Sequence, residues 1–217
     1  MTSPLFETPH PVEPWPERLG PGAVLHHGFA LAEAPALIDE VARIAESAPF
    51  RQMITPSGHR MAVAMTNCGT LGWVSDRTGY RYVAQDPDTG HPWPPISALF
   101  RQLACDAAAQ AGFAGFLPDA CLINRYLPDA RLSLHQDRDE RDLTAPIVSV
   151  SLGLPAMFRW GDLKRKDPTR RLPLAQGDVL VWGGPDRLRY HGVLPLKAGQ
   201  HVLLGAQRIN LTFRQAV

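Results

Sequence analysis

Two histidines and one aspartate in this chain have the spacing of a metal site. His135 and Asp137 are separated by a single residue, and His191 follows far downstream. Two imidazoles and one carboxylate can hold a non-haem Fe(II) on one face and leave its other coordination positions open. Because side chains alternate along an extended strand, His135 and Asp137 would point the same way, and His191 would complete the site from another strand. The residue types therefore indicate an Fe(II) centre.

The segment 208–214 supplies a second set of polar side chains. Its even-numbered residues are polar and its odd-numbered residues are apolar, so in a strand the two sets would occupy opposite faces. The polar set is Arg208, Asn210, Thr212 and Arg214, and the apolar set is Ile209, Leu211 and Phe213. Burying the polar row costs free energy unless an anion or partner groups satisfy it. An oxoacid that chelates iron has a distal carboxylate that a guanidinium can grip with two hydrogen bonds, so this row is expected to bind such a co-substrate.

Each of these residues also has a purely structural interpretation. A His-x-Asp pair alone is a weak pattern. His191 could be a hydrogen-bonded histidine of the core, and an arginine at a strand end is most often a solvated charge or half of an ion pair. The joint occurrence of the three ligand residues and the polar row favours a functional site.

Longer motifs run through most of the chain. They are the segments 49–53, 65–69, 71–73, 118–126, 132–137, 145–153, 178–184 and 210–215. Together these segments resemble the AlkB family of Fe(II)/2-oxoglutarate dioxygenases, which repair alkylated nucleic acid. The start of the chain and the stretch 203–207 diverge, and neither contains a residue with an expected chemical role.

The resemblance implies an oxidative demethylase that repairs N-alkylated bases, of the 1-methyladenine and 3-methylcytosine type, in DNA. Its cofactors would be Fe(II), 2-oxoglutarate and O₂, and its products succinate, CO₂ and formaldehyde. His135, Asp137 and His191 would bind the iron. The distal carboxylate of 2-oxoglutarate would pair with Arg208, Arg214 or both. The remaining co-substrate contacts are expected from Asn124, Tyr126, Asn210 and Thr212.

An alkylated base inside a duplex cannot reach such a site, so the enzyme must act on single strands or flip the nucleotide out. Trp73 and Tyr80 lie in the Gly-rich segment 69–82, which is expected to be an irregular lid. The resemblance makes Trp73 the stacking partner opposite His135, with core packing as the alternative. The full set of expected substrate-binding residues is Trp73, Tyr80, Met65, Asp139 and Arg165.

Asp139 and Arg165 have specific expected roles. Asp139 could accept from an exocyclic amino group or offset the positive charge of an alkylated base, and a surface ion pair with Arg138 or Arg141 is its structural alternative. Arg165 belongs to a basic stretch, 164–171, and could reach the base or a phosphate. A solvated loop is the alternative for that stretch.

The pattern of apolar residues predicts an α+β, mainly β fold. Helices are expected over 32–47 and 95–111, where apolar residues recur at helical spacing. Short alternating runs follow at 121–127, 132–136, 147–153, 156–160, 171–174, 178–182 and 201–214. This pattern predicts a double-stranded β-helix, or jelly roll, with N-terminal helices packed on it. We expect one domain over 1–217, with an N-terminal extension, helices and lid over 1–119 and a catalytic core over 120–217.

Composition limits the possible partners and location. The net charge of +1 argues against a generic duplex binder, so nucleic-acid contacts must be local. Cys68, Cys105 and Cys121 are odd in number and widely spaced, which favours reduced thiols. No apolar run is long enough to span a bilayer, and the Pro-rich start lacks the features of a secretory signal. We therefore expect a cytoplasmic monomer that acts on alkylated single-stranded DNA, and also on duplex DNA and RNA as open alternatives.

Two other functions fit part of the pattern. A dioxygenase with the same cofactors could hydroxylate a protein side chain or a small metabolite. A non-catalytic jelly roll could bind nucleic acid or another anion. The intact ligand set and the arginine pair argue against the second alternative.

Overall fold

The computed structural model describes residues 14–217, so the expected N-terminal extension lies partly outside the described residues. Two helices form within this range, α1 (Ala34–Ser47) and α2 (Ala98–Gln110). The strands are β1 (Trp15–Gly20), β2 (Ala23–His27), β3 (Ala64–Gly69), β4 (Gly72–Asp76), β5 (Gly79–Val83), β6 (Ala120–Tyr126), β7 (Leu132–His135), β8 (Ile147–Gly153), β9 (Ala156–Trp160), β10 (Arg170–Leu174), β11 (Val179–Trp182), β12 (His191–Val193) and β13 (Arg208–Arg214).

The strands form two antiparallel sheets and a separate hairpin. The large sheet has the order β1-β2-β11-β8-β13-β6-β3, and the small sheet has the order β10-β9-β12-β7. One buried apolar cluster contains Leu25 and Leu180 of the large sheet together with Phe158 and Leu172 of the small sheet. The two sheets therefore face each other, which confirms the predicted jelly roll.

The helices cover the other face of the large sheet. Leu37 and Ile44 of α1 and Phe100 of α2 share a buried cluster with Leu211 and Phe213 of β13. The start of α2 is stabilised by the Ser97 side chain, which accepts a hydrogen bond from the Phe100 backbone N–H at 3.3 Å. Since the odd-numbered residues of β13 pack toward the helices, its even-numbered residues face the space between the sheets, as their alternation predicted.

The N-terminal region contains more regular structure than the sequence indicated. Strands β1, β2 and β3 precede residue 120 and nevertheless belong to the large sheet, so the sheet extends across the expected boundary at 119/120. The segment 69–82, predicted to be irregular, contains most of a hairpin formed by β4 and β5. Gly72 allows this hairpin to approach Trp93, because a Cβ at Gly72 would lie 2.4 Å from the indole.

In the C-terminal half, one predicted strand boundary is wrong and one strand is missing from the predicted runs. The run 201–214 is a strand only from Arg208, because 201–207 forms a tight turn in which His201 and Gly205 pair. His191 was expected on a strand, and it lies on the three-residue strand β12, which the predicted alternating runs did not include. The other predicted strands and both helices agree with the structure to within three residues at each end.

Among the described residues, no helix is both long enough and apolar enough to cross a membrane.

Candidate active site

His135 and His191 lie directly opposite each other on the antiparallel strands β7 and β12. Their ring centroids are 4.4 Å apart. Gly192 permits this close pairing, because a Cβ there would lie 2.7 Å from the Leu132 carbonyl oxygen of β7. The backbone register of the small sheet therefore brings together two histidines that are far apart in the sequence.

The two histidines are oriented in the same way by the backbone. His135 Nδ1 lies 2.8 Å from the Ser133 carbonyl oxygen, and His191 Nδ1 lies 3.0 Å from the Arg189 carbonyl oxygen. Because a carbonyl only accepts, each Nδ1 must carry the proton, and each Nε2 keeps its lone pair. Burial and the neighbouring His135 lower the pKa of His191 to about 4, so this imidazole is neutral near pH 7.

Asp137 completes the cluster from the loop after β7. Its Oδ1 lies 3.5 Å from His135 Nε2, and its Oδ2 lies 3.8 Å from His191 Nε2. Strand β7 ends at His135, so Asp137 lies beyond the extended segment on which the spacing argument relied. One ligand atom from each of the three residues lies within 4.8 Å of the other two. Two imidazole nitrogens and a carboxylate oxygen at this separation fit Fe(II).

The polar residues of β13 and β6 line the same cavity, which has a volume of about 810 Å³. The register pairs Arg208 with Tyr126 and Asn210 with Asn124. Asn210 donates to Ser149 Oγ of β8 at 2.8 Å, and Thr212 donates to Asn210 Oδ1 at 3.0 Å. The expected co-substrate residues therefore share one face, next to the metal-ligand cluster.

Arg208 has donors without a partner in the described structure. The side chain is buried, and only its Nη2 donates, to Ser151 Oγ at 3.1 Å. Its Nε and Nη1, and the nearby Asn124 Oδ1, have no hydrogen-bond partner within the described part of the chain. A buried unpaired donor costs about 1–3 kcal/mol. A ligand carboxylate beside Nη1 would supply a missing acceptor, which makes Arg208 a candidate anchor for 2-oxoglutarate.

Arg214 differs from Arg208 because its guanidinium is already paired. Its Nη2 lies 2.6 Å from Asp137 Oδ2, and its Nε lies 3.1 Å from Glu140 Oε1. Burial alone would raise the pKa of Asp137, but Arg214 and the two histidines lower it well below its usual range. Arg214 therefore acts on the metal-ligand carboxylate, and Arg208 is the better candidate for the distal carboxylate of the co-substrate.

The hairpin of β4 and β5 places two aromatic side chains at the cavity. Trp73 and Tyr80 are stacked, with ring centroids 5.6 Å apart and an angle of 13° between the planes. Tyr80 is 48% exposed, so the pair lies at the edge of the site. The Asn67 side chain accepts from the Trp73 backbone N–H and donates to its carbonyl oxygen, both at 3.0 Å. Trp73 and His135 line the same cavity.

The other expected substrate residues also line this cavity. Asp139 accepts a hydrogen bond from Trp73 Nε1 at 2.8 Å. Met65 is buried on β3 opposite Asn124. Arg165 lies over the Tyr190 ring, 6.0 Å from its centroid. The basic stretch is mostly the exposed connection between β9 and β10, and Arg170 within it pairs with Glu17 at 2.6 Å.

Several polar residues at the site were not identified from the sequence. They are Tyr82, Glu140, Ser149, Ser151 and Arg187. Ser149 and Ser151 alternate with valines and leucine along β8, and that alternation could have indicated a polar inner face. Glu140 and Arg187 form a buried ion pair with an N–O distance of 3.0 Å, and no local pattern distinguishes them from surface charges.

The chain is similar to known proteins over most of its length. The model of the 2OG-Fe(II) oxygenase superfamily matches residues 22–214. The alpha-ketoglutarate-dependent dioxygenase AlkB of Escherichia coli is 59% identical over 204 residues, which cover 94% of each protein. The DNA N(6)-methyladenine demethylase ALKBH1C of Arabidopsis thaliana is 41% identical over 67% of this chain and 38% of that protein. The solved structure of OsALKBH1 superimposes with a TM-score of 0.81 at 28% identity, covering 92% of this chain and 99% of that one.

The matches extend over nearly all of the chain and include the residues of the candidate site. The cofactors of this enzyme class are Fe(II), 2-oxoglutarate and O₂, and the His135, Asp137 and His191 cluster fits the metal. The chain belongs to the AlkB family of Fe(II)/2-oxoglutarate-dependent dioxygenases.

Proposed function

We propose that this dioxygenase demethylates N-alkylated bases in nucleic acid, with alkylated single-stranded DNA as its preferred substrate. The observation that carries the proposal is the position of the stacked pair Trp73 and Tyr80, which lines the same cavity as the His135, Asp137 and His191 cluster. Aromatic side chains at the entrance of an oxidising site suit a planar base. The names of relatives that describe DNA demethylases are consistent with this substrate class.

The proposed cofactor contacts follow from the hydrogen-bonding groups of the cavity. His135, Asp137 and His191 hold Fe(II), and the guanidinium of Arg208, which has unpaired donors, receives the distal carboxylate of 2-oxoglutarate. Asn124, Tyr126, Asn210 and Thr212 line the cavity around that anchor. Arg214 holds the Asp137 carboxylate in place at 2.6 Å. This division assigns the co-substrate carboxylate to Arg208 and the carboxylates of the protein to Arg214.

The base would be held between the lid and the metal-ligand cluster. Trp73 offers its ring face, and the hydrogen bond from its Nε1 to Asp139 keeps the indole in one orientation. Asp139 retains lone pairs for an exocyclic amino group, and its charge offsets that of an alkylated adenine or cytosine. Met65 closes the inner wall of the cavity. The pocket therefore favours a flat, cationic base.

The reaction that these residues would support is balanced in oxygen atoms. When bound, Fe(II) and 2-oxoglutarate together supply the oxidising chemistry that activates O₂. One oxygen atom enters succinate as CO₂ leaves, and the other converts the N-methyl group into N-hydroxymethyl. The N–C bond of that hemiaminal then breaks, which gives formaldehyde and the repaired N–H base. The protein orients both substrates and excludes water from the cavity.

Phosphate contacts would come from exposed cations beside the cavity. Lys164, Arg165 and Lys166 are exposed on the connection between β9 and β10. A second cleft of about 370 Å³ next to β7 is lined by Arg131, Arg159 and Arg165. These groups suit a flexible strand backbone, and a single strand enters without the cost of unpairing. We assign the whole chain to one domain that works as a cytoplasmic monomer.

The proposal is tested by measuring formaldehyde and succinate with a methylated single-stranded oligonucleotide. Both products should form in equal amounts, and omission of iron or 2-oxoglutarate should stop their release. An unmethylated oligonucleotide of the same sequence is the matched control. Formaldehyde release that does not depend on the methylated strand would instead favour oxidation of a protein or small metabolite.

A further inference from the structure

Glu140 is a buried carboxylate that accepts hydrogen bonds from Tyr82 and Arg187 and forms an ion pair with Arg214. Tyr82 donates to its Oε1 at 2.6 Å, Arg187 Nη2 lies 3.0 Å from its Oε2, and Arg214 Nε lies 3.1 Å from its Oε1. The Glu140 side chain is only 2% exposed. Its lone pairs are therefore used within the protein, and its charge is compensated by two guanidinium groups.

The first of these contacts comes from the lid. Tyr82 lies on β5 of the two-stranded hairpin, which belongs to neither sheet of the jelly roll. A two-stranded hairpin is marginally stable alone, so its order depends on its contacts with the rest of the protein. Burial raises the pKa of Tyr82, so its hydroxyl stays protonated and donates to Glu140. This hydrogen bond docks β5, as those of Trp73 with Asn67 and Asp139 dock β4.

The second contact leads to the metal-ligand cluster. Arg214 forms an ion pair with Glu140, and it donates through Nε and Nη2 to Asp137 Oδ2, at 3.2 and 2.6 Å. Arg187, which donates to Glu140, also donates to the Asp137 backbone carbonyl at 2.6 Å. Glu140 is therefore connected to Asp137 by two independent arginines. A movement of the Glu140 carboxylate would move donors on both the side chain and the backbone of Asp137.

The geometry points to Glu140 as a positioning residue. It couples docking of the lid, the hairpin of β4 and β5, to binding of the metal and 2-oxoglutarate at the cluster that contains Asp137. When Tyr82 is docked, Glu140 is fixed, and Arg214 is fixed in turn against Asp137. Such a coupling is reciprocal, so binding of the metal and 2-oxoglutarate must also favour the docked lid. The inference rests on the proposed function only in identifying the lid as the part that contacts the alkylated strand.

The test measures amide hydrogen exchange of the hairpin 72–83 without nucleic acid and without turnover. The protein is compared before and after saturation with Mn(II) and 2-oxoglutarate. In the unaltered protein, loading should slow exchange of the hairpin by about fivefold or more, the lower range of ordinary coupling between sites. Tyr82→Phe removes only the hydroxyl, and in this variant loading should no longer change hairpin exchange. The affinity for 2-oxoglutarate should fall by the same factor.

Two further variants separate coupling from general stability. Glu140→Gln keeps the size of the side chain and should also lose the response. Glu40→Gln, on α1, breaks a surface ion pair with Arg43, and this variant should keep the full response of hairpin exchange to Mn(II) and 2-oxoglutarate. If Tyr82→Phe accelerates exchange equally with and without Mn(II) and 2-oxoglutarate, Tyr82 is only structural and the inference is wrong. The inference would also be wrong if hairpin exchange in the unaltered protein did not change on addition of Mn(II) and 2-oxoglutarate. Since no alkylated strand is used, neither result depends on the demethylation assay.

Discussion

His135 and His191 face each other across β7 and β12, and each has its Nδ1 next to a backbone carbonyl two residues earlier in the chain. The same local arrangement on two antiparallel strands aims both Nε2 atoms at Asp137. Hydrogen bonds of this type fix the tautomer and the ring orientation of histidine ligands. The metal-binding geometry is therefore encoded in the backbone of the small sheet, and only Asp137 depends on a loop.

The assignment of Asp137 as a ligand predicts that Asp137→Asn abolishes demethylation. The variant keeps the size of the side chain but removes the anionic ligand, so Fe(II) binding should be lost together with turnover. Formaldehyde release and a Co(II) absorption titration would measure the two effects. Asp129→Asn, in the turn before β7, is a matched control. Full activity of Asp137→Asn with added iron and 2-oxoglutarate would refute the assignment.

Arg208 and Arg214 are expected to differ when each is replaced by lysine. Lysine at position 208 cannot form the two-point hydrogen bond, which is worth about 1.5–3 kcal/mol, so Arg208→Lys should lower the affinity for 2-oxoglutarate by about ten- to a hundredfold. Arg214→Lys should instead weaken metal binding, because Arg214 is paired with Asp137. Titrations of the Mn(II)-loaded protein with 2-oxoglutarate would distinguish the two. An unchanged affinity in Arg208→Lys would place the distal carboxylate elsewhere.

Replacement of Trp73 should affect the base and not the cofactors. Stacking of one base on an aromatic side chain is worth about 1–3 kcal/mol, so Trp73→Ala should weaken binding of an alkylated strand by about five- to a hundredfold. Mn(II) and 2-oxoglutarate titrations should match those of the unaltered protein. Trp15→Ala, on β1 at the far edge of the large sheet, is a suitable control. Retention of full repair by Trp73→Ala would show that the base stacks elsewhere.

The exposed cations 164–166 should strengthen strand binding to the same extent whatever the base. Neutralising all three should weaken binding of methylated and unmethylated strands by the same factor. The slope of log K against log salt should decrease by about 0.7 for each phosphate of a single strand that the protein no longer neutralises. Binding measured over a series of salt concentrations tests this directly. An unaltered slope would exclude these residues from phosphate recognition.

His191 predicts how the stability of the metal-free protein depends on pH. Its pKa is about 4 in the folded protein and 6.5 in the unfolded chain, because burial and His135 disfavour the charged imidazole. Between these values the unfolded chain binds more protons, so stability should fall as the pH decreases from 6.5 toward 4. Urea unfolding at several pH values would show the decline. His191→Gln should flatten it within this window, and an unchanged profile would contradict the assignment.

The polar row of β13 could be predicted because it alternates strictly with apolar residues. In a strand, such alternation places the polar and apolar side chains on opposite faces. The bounds of strand β12 could not be predicted, although His191 was expected on a strand, since three residues with a central glycine give no periodic signal. The hairpin of β4 and β5 could not be predicted, because its glycines indicate turns as readily as strands. Glu140 stands in a run of six charged residues, 137–142, that is typical of a solvated loop. Its burial depends on Arg187 and Arg214, which are distant in sequence, so only the fold identifies it.

The ion pair between Arg214 and Asp137 has a consequence for the biogenesis of this enzyme. A buried carboxylate without a counterion would oppose folding until a metal arrived, as in small domains that need zinc to fold. Here Arg214 neutralises Asp137 within the chain itself. The apo-protein can therefore reach its native structure first and acquire iron later, so a period of iron scarcity would leave a folded reserve that regains activity once iron returns.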